Sequence, residues 1–421
     1  MPISVDEALN LVLDNVAPLG MERVAISSAL HRVLGEAISS PRDIPGFDNS
    51  AMDGYAVRAA DIREANETNP VSLKVLETVG AGAMPTRVVG SGEAIRTMTG
   101  APIAQGADTI IQVERTRGTE SSVEILISAE KGAFVRPRGE DLKEGELVIS
   151  AGKQLSAADI GMLASLNRAV VDVYRRPRVA IVATGDELVD IDQVPTGAQV
   201  VNSSAYALAA AIAETGGEPI ILKVARDRAE EVRDRLSEAL AFDAVLSTGG
   251  VSVGQFDHVK QVLDALGLRQ LFHGVAQKPG RPLKFGTIGG KPVFGLPGNP
   301  VSTMVCFYLY VRPALHKMGG YRALSLPRLP VHCAAEMRVA NGLTEFIRVT
   351  LERRDDGLYA GPTGNQSSGV LSSLGRAHAL LIGPREVNQL RVGDQAVVLL
   401  LDAGAAAETD AFFEERRRQP H

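Results

Sequence analysis

The chain has 421 residues and is 45% hydrophobic, so it is long enough for about two to four domains with apolar cores. Its net charge of −6 argues against nonspecific nucleic-acid binding, which needs a basic surface. Cys306 and Cys333 are its only cysteines, which excludes a disulfide framework and a Cys-x-x-Cys zinc site.

The N-terminal residues predict a helix rather than a secretory leader. Ser4 followed by Glu7 is typical of a capping box, and Asp6 and Asp14 interrupt any apolar run. No segment approaches the apolar length of a membrane span. We therefore expect a cytoplasmic protein that binds neither membrane nor nucleic acid.

Residues 45–56 form a dense polar segment with two carboxylates, an amide, a hydroxyl and two glycines. The segment follows neither a helical period nor the alternation of a half-buried strand. It predicts an ordered loop of the kind that holds a ligand or a metal. The alternative is a polar loop that satisfies its own backbone through Asx-type hydrogen bonds.

The remainder of the first 175 residues predicts a mixed domain with a β-rich insertion. Short strand-like runs at 71–79 and 122–128 are separated by glycine and proline turns. Helical spacing of apolar residues returns at 157–166.

Residues 176–320 alternate strand-like and helical patterns. The predicted strands are 179–183, 219–224, 244–247, 270–272 and 292–294, and the predicted helices are 205–214, 228–240, 257–266 and 301–315. Asn202 and Ser203 are candidate caps for the first of these helices. This alternation predicts a doubly wound, mostly parallel sheet.

Pro327 and Pro330 mark a linker to the last predicted domain. Short β-like runs at 329–332, 346–351, 379–382 and 395–401 predict a small all-β domain. The charged residues 407–421 predict a solvated tail.

Three loops follow predicted strands at the edge where open parallel sheets bind their ligands, namely 184–187, 247–254 and 295–300. The middle loop is rich in small residues, with Ser247, Gly249, Gly250, Ser252 and Gly254. Its backbone N–H groups can therefore approach an oxyanion. It has neither the Walker nor the dinucleotide pattern, and the alternative is a tight strand–helix turn.

Four carboxylates lie at or just after the same strand ends: Asp186, Glu187, Asp227 and Asp257. Carboxylates beside a phosphate-binding loop repel the phosphate unless a cation intervenes, and Mg²⁺ suits that arrangement. The alternative is that each one is a helix cap or a surface charge, and Asp257 would suit an N-cap.

Opposite charge comes from Lys278 and Arg281 in a segment stiffened by prolines. Cations held in this way can bind phosphate or another oxyanion, although a solvated surface turn is the alternative. Arg136 lies in a similarly rigid segment of the first half, and Thr99 offers a hydroxyl in a turn of small residues.

Seven motifs together resemble the MoeA family of molybdopterin molybdenumtransferases, to which the E domain of gephyrin is related. They are PGFDNSAMDGYAVR (45–58), MTGAPIAQGAD (98–108), RPRGEDLKEGE (136–146), VATGDEL (182–188), STGGVSVG (247–254), KPGRP (278–282) and GLPGNPVS (295–302). They occur in order, and the resemblance runs from about residue 4 to residue 403.

The resemblance implies that the protein inserts molybdenum into adenylylated molybdopterin. The adenylate would be hydrolysed in a step that depends on Mg²⁺ and molybdate and that releases AMP. The resemblance also implies an elongated homodimer, with the adenylylating enzyme and recipient molybdoenzymes as further partners. Four domains are expected: an N-terminal mixed domain (1–55 with 141–175), an inserted β-rich domain (56–140), a doubly wound molybdopterin-binding domain similar to MogA (176–326) and a C-terminal β domain (327–403), followed by a flexible tail (404–421).

The same resemblance implies roles for individual residues. The catalytic residues would be Asp53, Thr99, Glu187 and Asp227, and the metal ligands would be Asp186, Glu187 and Asp257. Substrate would be bound by Asp186, Ser247, Gly249, Gly250, Ser252, Gly254, Lys278, Arg281, Pro297, Pro300 and Arg136. Asp53 and Thr99 would face the pocket from the partner subunit, and Lys278, Arg281, Pro297 and Pro300 would line its molybdate and pterin end.

Four residues depart from the pattern that is common in the family: Gln255, His258, His273 and His378. They bear on metal affinity and on contacts of the C-terminal domain, and we assign them no metal role. Two alternatives to the enzyme are a molybdopterin-binding scaffold without turnover and a CinA-like pyrophosphatase. The retained acidic residues favour the enzyme over the scaffold, and the 45–58 motif favours it over the pyrophosphatase.

Overall fold

The computed structural model describes residues 2–249, 258–402 and 404. The chain divides into two compact units. Unit 1 comprises Met1–Gly35, Gly152–Ile160 and Ala169–His421, and unit 2 comprises Glu36–Ala151 and Gly161–Arg168. The finer domain boundaries expected from the sequence stay a prediction.

The α-helices of the described residues are Val5–Asp14, Ala157–Ser165, Ser203–Glu214, Ala229–Ala239, His258–Ala265, Pro300–Cys306, Arg312–Met318 and Leu371–Gly375. Ser4 caps the first helix by accepting a hydrogen bond from the Glu7 N–H (3.1 Å). None of the helices in the described ranges combines the length and apolarity that crossing a bilayer requires.

The helix predicted over 301–315 is interrupted by a π-helical turn at Phe307–Val311. Pro313, the second residue of the helix that follows, has no N–H to donate to the carbonyl of the preceding helical turn. The single predicted helix is therefore two short helices with a π turn between them, a break that spacing of apolar residues does not reveal.

The main sheet of unit 1 has six strands in the order Glu218–Ile221, Arg178–Ala183, Ala244–Thr248, Lys291–Leu296, Lys284–Ile288 and Arg269–His273. The first four are mutually parallel. Lys284–Ile288 runs antiparallel to both of its neighbours, Lys291–Leu296 and Arg269–His273. Alternate residues of Arg178–Ala183 enter different apolar cores, with Ile181 in one and Val182 in the other. Helices thus cover both faces, which confirms the predicted doubly wound, mostly parallel sheet.

The C-terminal part of unit 1 forms a closed sheet. Its strands are Thr344–Arg354, Gly357–Pro362, Arg328–Cys333, Gln395–Leu400 and Ala379–Gly383, and the last pairs back onto the first. The short strand Gln277–Lys278 joins the sheet by parallel pairing with Thr344–Arg354. The predicted C-terminal β domain is confirmed. Smaller strand pairs of unit 1 are Met21–Ala25 with Val170–Tyr174, Leu188–Val189 with Val200–Val201, and Met337–Arg338 with Gln389–Leu390.

Unit 2 is built on a six-stranded sheet in the order Thr109–Gln112, Gly54–Val57, Glu93–Thr97, Val71–Val79, Ser122–Ile125 and Thr116–Gly118. Two further pairs are Asn49–Ser50 with Val135–Arg136 and Ile38–Ser39 with Leu147–Ile149. The end of the predicted 45–56 loop is therefore a strand. Tyr55 and Ala56 enter separate cores on the two faces of the sheet. A strand buried on both faces shows no alternation of polar and apolar residues, so its sequence did not reveal it.

Candidate functional site

A cavity of about 740 Å³ lies at the carboxyl edge of the parallel strands of unit 1. All three loops predicted to bind a ligand contribute to it. Its lining includes Thr184, Glu187, Thr248, Gly249, His273, Pro282, Pro297, Gly298, Asn299, Pro300 and the residues 200–204. The position agrees with the rule that ligands of open α/β sheets bind beyond the carboxyl ends of the strands.

Gly249 shapes the floor of this first cavity. Its φ is +86°, and a Cβ at this position would lie 2.6 Å from the Thr184 carbonyl oxygen. Only glycine satisfies both the left-handed conformation and the close approach of the two loops. The backbone at Gly249 therefore carries no side chain that would shield it from a ligand.

The N-terminus of the helix Ser203–Glu214 also opens at the first cavity. The Asn202 side chain caps the helix by accepting a hydrogen bond from the Ala205 N–H (3.3 Å), as its sequence position predicted. Asn202, Ser203 and Ser204 all line the cavity. The positive end of the helix dipole thus favours an anion here.

Three of the predicted carboxylates lie together beside the first cavity. The Asp227 N–H donates to Asp186 Oδ1 (3.1 Å), while Arg226 Nη1 donates to the Asp186 carbonyl (2.8 Å). Partial loss of solvent raises the pKa of the Asp227 carboxyl above its ordinary value, and the negative charges of Asp186 and Glu187 raise it further. His258 has the opposite effect on this pKa. The cluster therefore carries unbalanced negative charge, which a cation would relieve.

The donors in this cluster are all oxygen atoms. No three His, Cys, Asp or Glu side chains within the described ranges are arranged to hold a metal ion by themselves. Mg²⁺, however, is usually bound by one or two carboxylates together with waters and substrate phosphates. Asp186, Glu187 and Asp227 fit that mode of binding.

A second cavity of about 670 Å³ adjoins the first, since Pro282, Pro297 and Asn299 line both. It holds the predicted cations Lys278 and Arg281. Lys278 Nζ forms an ion pair with Glu345 (3.0 Å), whose carboxylate also lines the cavity. The two cavities thus place a carboxylate-rich region and a cationic region side by side.

Residues 365–368 line the second cavity and were not predicted from the sequence. The buried Arg348, which is 1% exposed, holds this loop in place through hydrogen bonds. Its Nε donates to Ser373 Oγ (3.0 Å) and its Nη2 to the Ser367 carbonyl (3.1 Å). Gln366 accepts from the Arg348 N–H (2.9 Å) and donates to the Arg348 carbonyl (3.0 Å). The run of turn-forming residues at 363–369 is the signal that could have indicated this loop.

Asp53 and Thr99, both predicted to be catalytic, contact each other in unit 2. Asp53 Oδ1 accepts from the Thr99 N–H and from the Thr99 hydroxyl, each at 2.7 Å. The N–H and then the hydroxyl hold the pKa of the Asp53 carboxyl below its usual value. Arg136 is exposed in the same unit, on the short strand that pairs with Asn49.

Some predicted site residues lie elsewhere. Ser247 is fully buried in the strand Ala244–Thr248, does not line either cavity, and its Oγ has no hydrogen-bond partner in the described part of the chain. Gly250, Ser252, Gly254, Gln255 and Asp257 lie outside the described residues. Of the remaining departures from the family pattern, His273 lines the first cavity. His378 Nδ1 accepts from the Leu351 N–H (3.0 Å), which is a structural role.

Comparisons with known proteins agree with this architecture along most of the chain. Residues 3–167 match the MoeA N-terminal region (domain I and II), 180–317 match a probable molybdopterin binding domain, and 330–401 match the MoeA C-terminal region (domain IV).

Individual relatives extend over the same length. A molybdopterin molybdenumtransferase of Nostoc is 38% identical and covers 94% of each chain. One of Staphylococcus aureus is 32% identical and covers 97% of each chain. The solved structure of a molybdopterin biosynthesis moeA protein from Pyrococcus horikoshii is 32% identical, has a TM-score of 0.82, and is matched over 95% of this chain and 100% of that one. The chain therefore belongs to the MoeA family of molybdopterin molybdenumtransferases, a family of transferases in molybdenum cofactor biosynthesis.

Proposed function

We propose that the protein inserts molybdenum into adenylylated molybdopterin, hydrolysing the adenylate in a Mg²⁺-dependent step and releasing AMP. The observation that carries this proposal is the pair of adjoining cavities in unit 1. One has a carboxylate cluster beside a glycine turn, and the other holds Lys278 and Arg281. A phosphate chain suits the first cavity and an oxyanion suits the second.

Hydrolysis of the adenylate breaks a phosphoanhydride bond, so that water supplies the new oxygen on phosphorus and AMP departs. Such a reaction needs positioned groups and charge compensation more than covalent catalysis. Asp186 and Glu187, with Asp257, would hold Mg²⁺, which when bound offsets negative charge on the phosphates. The raised pKa of Asp227 makes its carboxylate a stronger base, which suits a group that orients or deprotonates water.

Molybdate would bind in the second cavity. Lys278 and Arg281 carry positive charge that complements an oxyanion, and charge-assisted hydrogen bonds from such cations are short and strong. The shared lining at Pro297 and Asn299 gives the pterin end of the substrate access to both cavities.

We also propose that the chain works as a homodimer in the cytoplasm. Asp53 and Thr99 belong to unit 2, whereas both cavities belong to unit 1. The family resemblance favours an arrangement in which Asp53 and Thr99, with Arg136, serve the cavities of the partner subunit. The adenylylating enzyme would deliver the substrate and molybdoenzymes would receive the product.

The test supplies adenylylated molybdopterin, Mg²⁺ and molybdate and measures AMP. We expect release that requires both ions, and loss of most of it in Glu187→Gln. Glu230→Gln is the matched control, because Glu230 is exposed on the first turn of the helix Ala229–Ala239. Absence of AMP release from the wild type would refute the enzyme. AMP release at the same rate with and without molybdate would favour a pyrophosphatase.

A further inference from the structure

A buried hydrogen-bond network supports the turn that carries Lys278 and Arg281. Gln277, Cys306 and Tyr310 are each 0% exposed. Gln277 Nε2 donates to the Pro279 carbonyl (2.9 Å), and the Cys306 thiol donates to the Gly280 carbonyl (3.6 Å). The Tyr310 hydroxyl in turn donates to Gln277 Oε1. Two consecutive carbonyls of the turn are therefore held by buried side chains.

The turn packs on these side chains with no spare room. Gly280 has a φ of +92°, and a Cβ there would lie 2.5 Å from Cys306 Sγ and 2.8 Å from Gln277 Nε2. Gln277 itself is fixed by parallel pairing with Thr344, one residue before Lys278 pairs with Glu345. Both the backbone and the side chain of Gln277 thus constrain the start of the turn.

The helical segment that carries Cys306 and Tyr310 is irregular at Tyr310. Cys306 and Tyr310 are four residues apart and share one helix face. Tyr310 lies in the π-helical turn Phe307–Val311, where the Arg312 N–H reaches back to the Phe307 carbonyl. Single π turns are rare and recur at functional sites.

Apolar side chains could fill the same space without the cost of burying an amide and a hydroxyl. A fully satisfied polar network instead fixes one arrangement of the groups it bonds. Here those groups are the carbonyls between two cations that line the second cavity. The network therefore fixes the backbone that places Lys278 and Arg281 at the second cavity.

We propose that Gln277 and Tyr310 are positioning residues that hold the turn 278–281 in the geometry that binds an oxyanion. This inference rests on the proposed function. It adds that affinity for molybdate depends on a buried network in which Tyr310 and Cys306 lie behind the cavity and Gln277 lies at its wall. Preorganisation of this kind lowers the ordering cost of binding.

The decisive variant is Tyr310→Phe, which keeps the ring and removes one oxygen. We expect the KM for molybdate in AMP release to rise about five- to tenfold, the factor given by one lost hydrogen bond, with kcat nearly unchanged. The Kd for molybdate alone, from equilibrium dialysis, should weaken by the same factor. Tyr308→Phe is the matched control, since Tyr308 lies in the same π turn and its hydroxyl is not part of the network, and it should leave KM and Kd unchanged.

Equal KM and Kd for wild type and Tyr310→Phe would overturn the inference and leave the proposed function intact. A lower kcat or melting temperature with unchanged KM would show a purely structural role and also overturn it. A wild-type chain that neither binds molybdate nor releases AMP would refute the proposed function and this inference together. If Tyr310→Phe does not fold, Cys306→Ala, which removes the thiol that bonds to Gly280, must show the same rise in KM.

Discussion

The Asp53 carboxylate receives two hydrogen bonds from Thr99, one from the N–H and one from the hydroxyl, both at 2.7 Å. The N–H bond survives any substitution of the side chain, whereas the hydroxyl bond does not. Thr99 therefore fixes the orientation of a carboxylate that is otherwise exposed.

Thr99→Val should reduce AMP release about tenfold, because it removes one charge-assisted hydrogen bond and preserves side-chain shape. Thr86→Val is a closely matched control. Thr86 donates to Glu77 in the same way, from its N–H (2.8 Å) and its hydroxyl (2.7 Å), but outside the candidate site. The measurement is the steady-state rate of AMP release for Thr99→Val and Thr86→Val. Equal rates would show that the Asp53–Thr99 pair is only structural.

Asp227 makes a prediction about stability and pH. Its pKa is raised in the folded chain, so ionisation of this carboxyl disfavours folding. The penalty is absent below the ordinary pKa, develops as pH rises between the ordinary and the raised value, and is complete above the raised value. Without divalent cations, Asp227→Asn should therefore be more stable than the wild type at neutral pH, and the difference should vanish in acid.

Melting temperatures in EDTA from about pH 3 to pH 8 test this expectation. Asp190→Asn gives the opposite sign, because a hydrogen bond from Tyr206 lowers the pKa of Asp190. Asp190 stabilises the fold above its ordinary pKa and loses that effect as pH falls through its lowered value, so Asp190→Asn should be less stable at neutral pH. Mg²⁺ should narrow the gap between Asp227→Asn and wild type. A less stable Asp227→Asn at neutral pH would contradict the charge argument.

At the scale of elements, the turn at Gly249 combines a conformational and a steric requirement. Gly249 and Gly267 both have a φ of +86°, but nothing lies within 4 Å of a Cβ built on Gly267. Gly267→Ala should cost about 1 kcal/mol of unfolding free energy, which is the conformational part alone. Gly249→Ala should cost roughly 2 kcal/mol or more, since its Cβ also meets the Thr184 carbonyl, and it should abolish AMP release.

Denaturant titrations of both glycine variants measure these free energies, and AMP assays accompany them. Equal destabilisation with full activity in Gly249→Ala would show that the turn does not approach the substrate. Comparing the two variants shows whether glycine is needed at position 249 for stability alone or also for binding the substrate.

The doubly wound sheet could be predicted because its strands and helices alternate and each carries its own pattern. The strand Lys284–Ile288 was not predicted from the sequence. The following Gly289 and Gly290, with φ of +57° and +80°, form the hairpin turn that could have revealed it.

The candidate site was predictable to the extent that its residues follow strands. The loops around Glu187, Gly249 and Pro297 converge because parallel strands end at one edge. Arg348 could not be found in this way, since nothing in a strand sequence shows that an arginine is buried and bonds a distant loop. Ser247 shows the reverse, because it belongs to the predicted loop motif but lies within the strand Ala244–Thr248 with its side chain fully buried.

At the scale of the whole molecule, the proposed machinery is divided between two units of the chain. If each active site takes Asp53 from one subunit and Glu187 from the other, Asp53→Ala and Glu187→Ala homodimers should both be inactive. Co-expressed heterodimers carry both substitutions in one site and neither in the other. They should recover roughly half of the wild-type activity, as expected for a two-fold symmetric dimer.

Differently tagged subunits allow the heterodimer to be purified before its AMP release is measured. Glu187→Ala combined with Asp227→Ala is the matched control. Both residues belong to the carboxylate cluster of unit 1, so each site of that heterodimer keeps one damaged carboxylate and should stay inactive. Recovery in the first pair and none in the second assigns Asp53 to the partner's site. No recovery in a verified Asp53→Ala and Glu187→Ala heterodimer would place the whole site within one subunit.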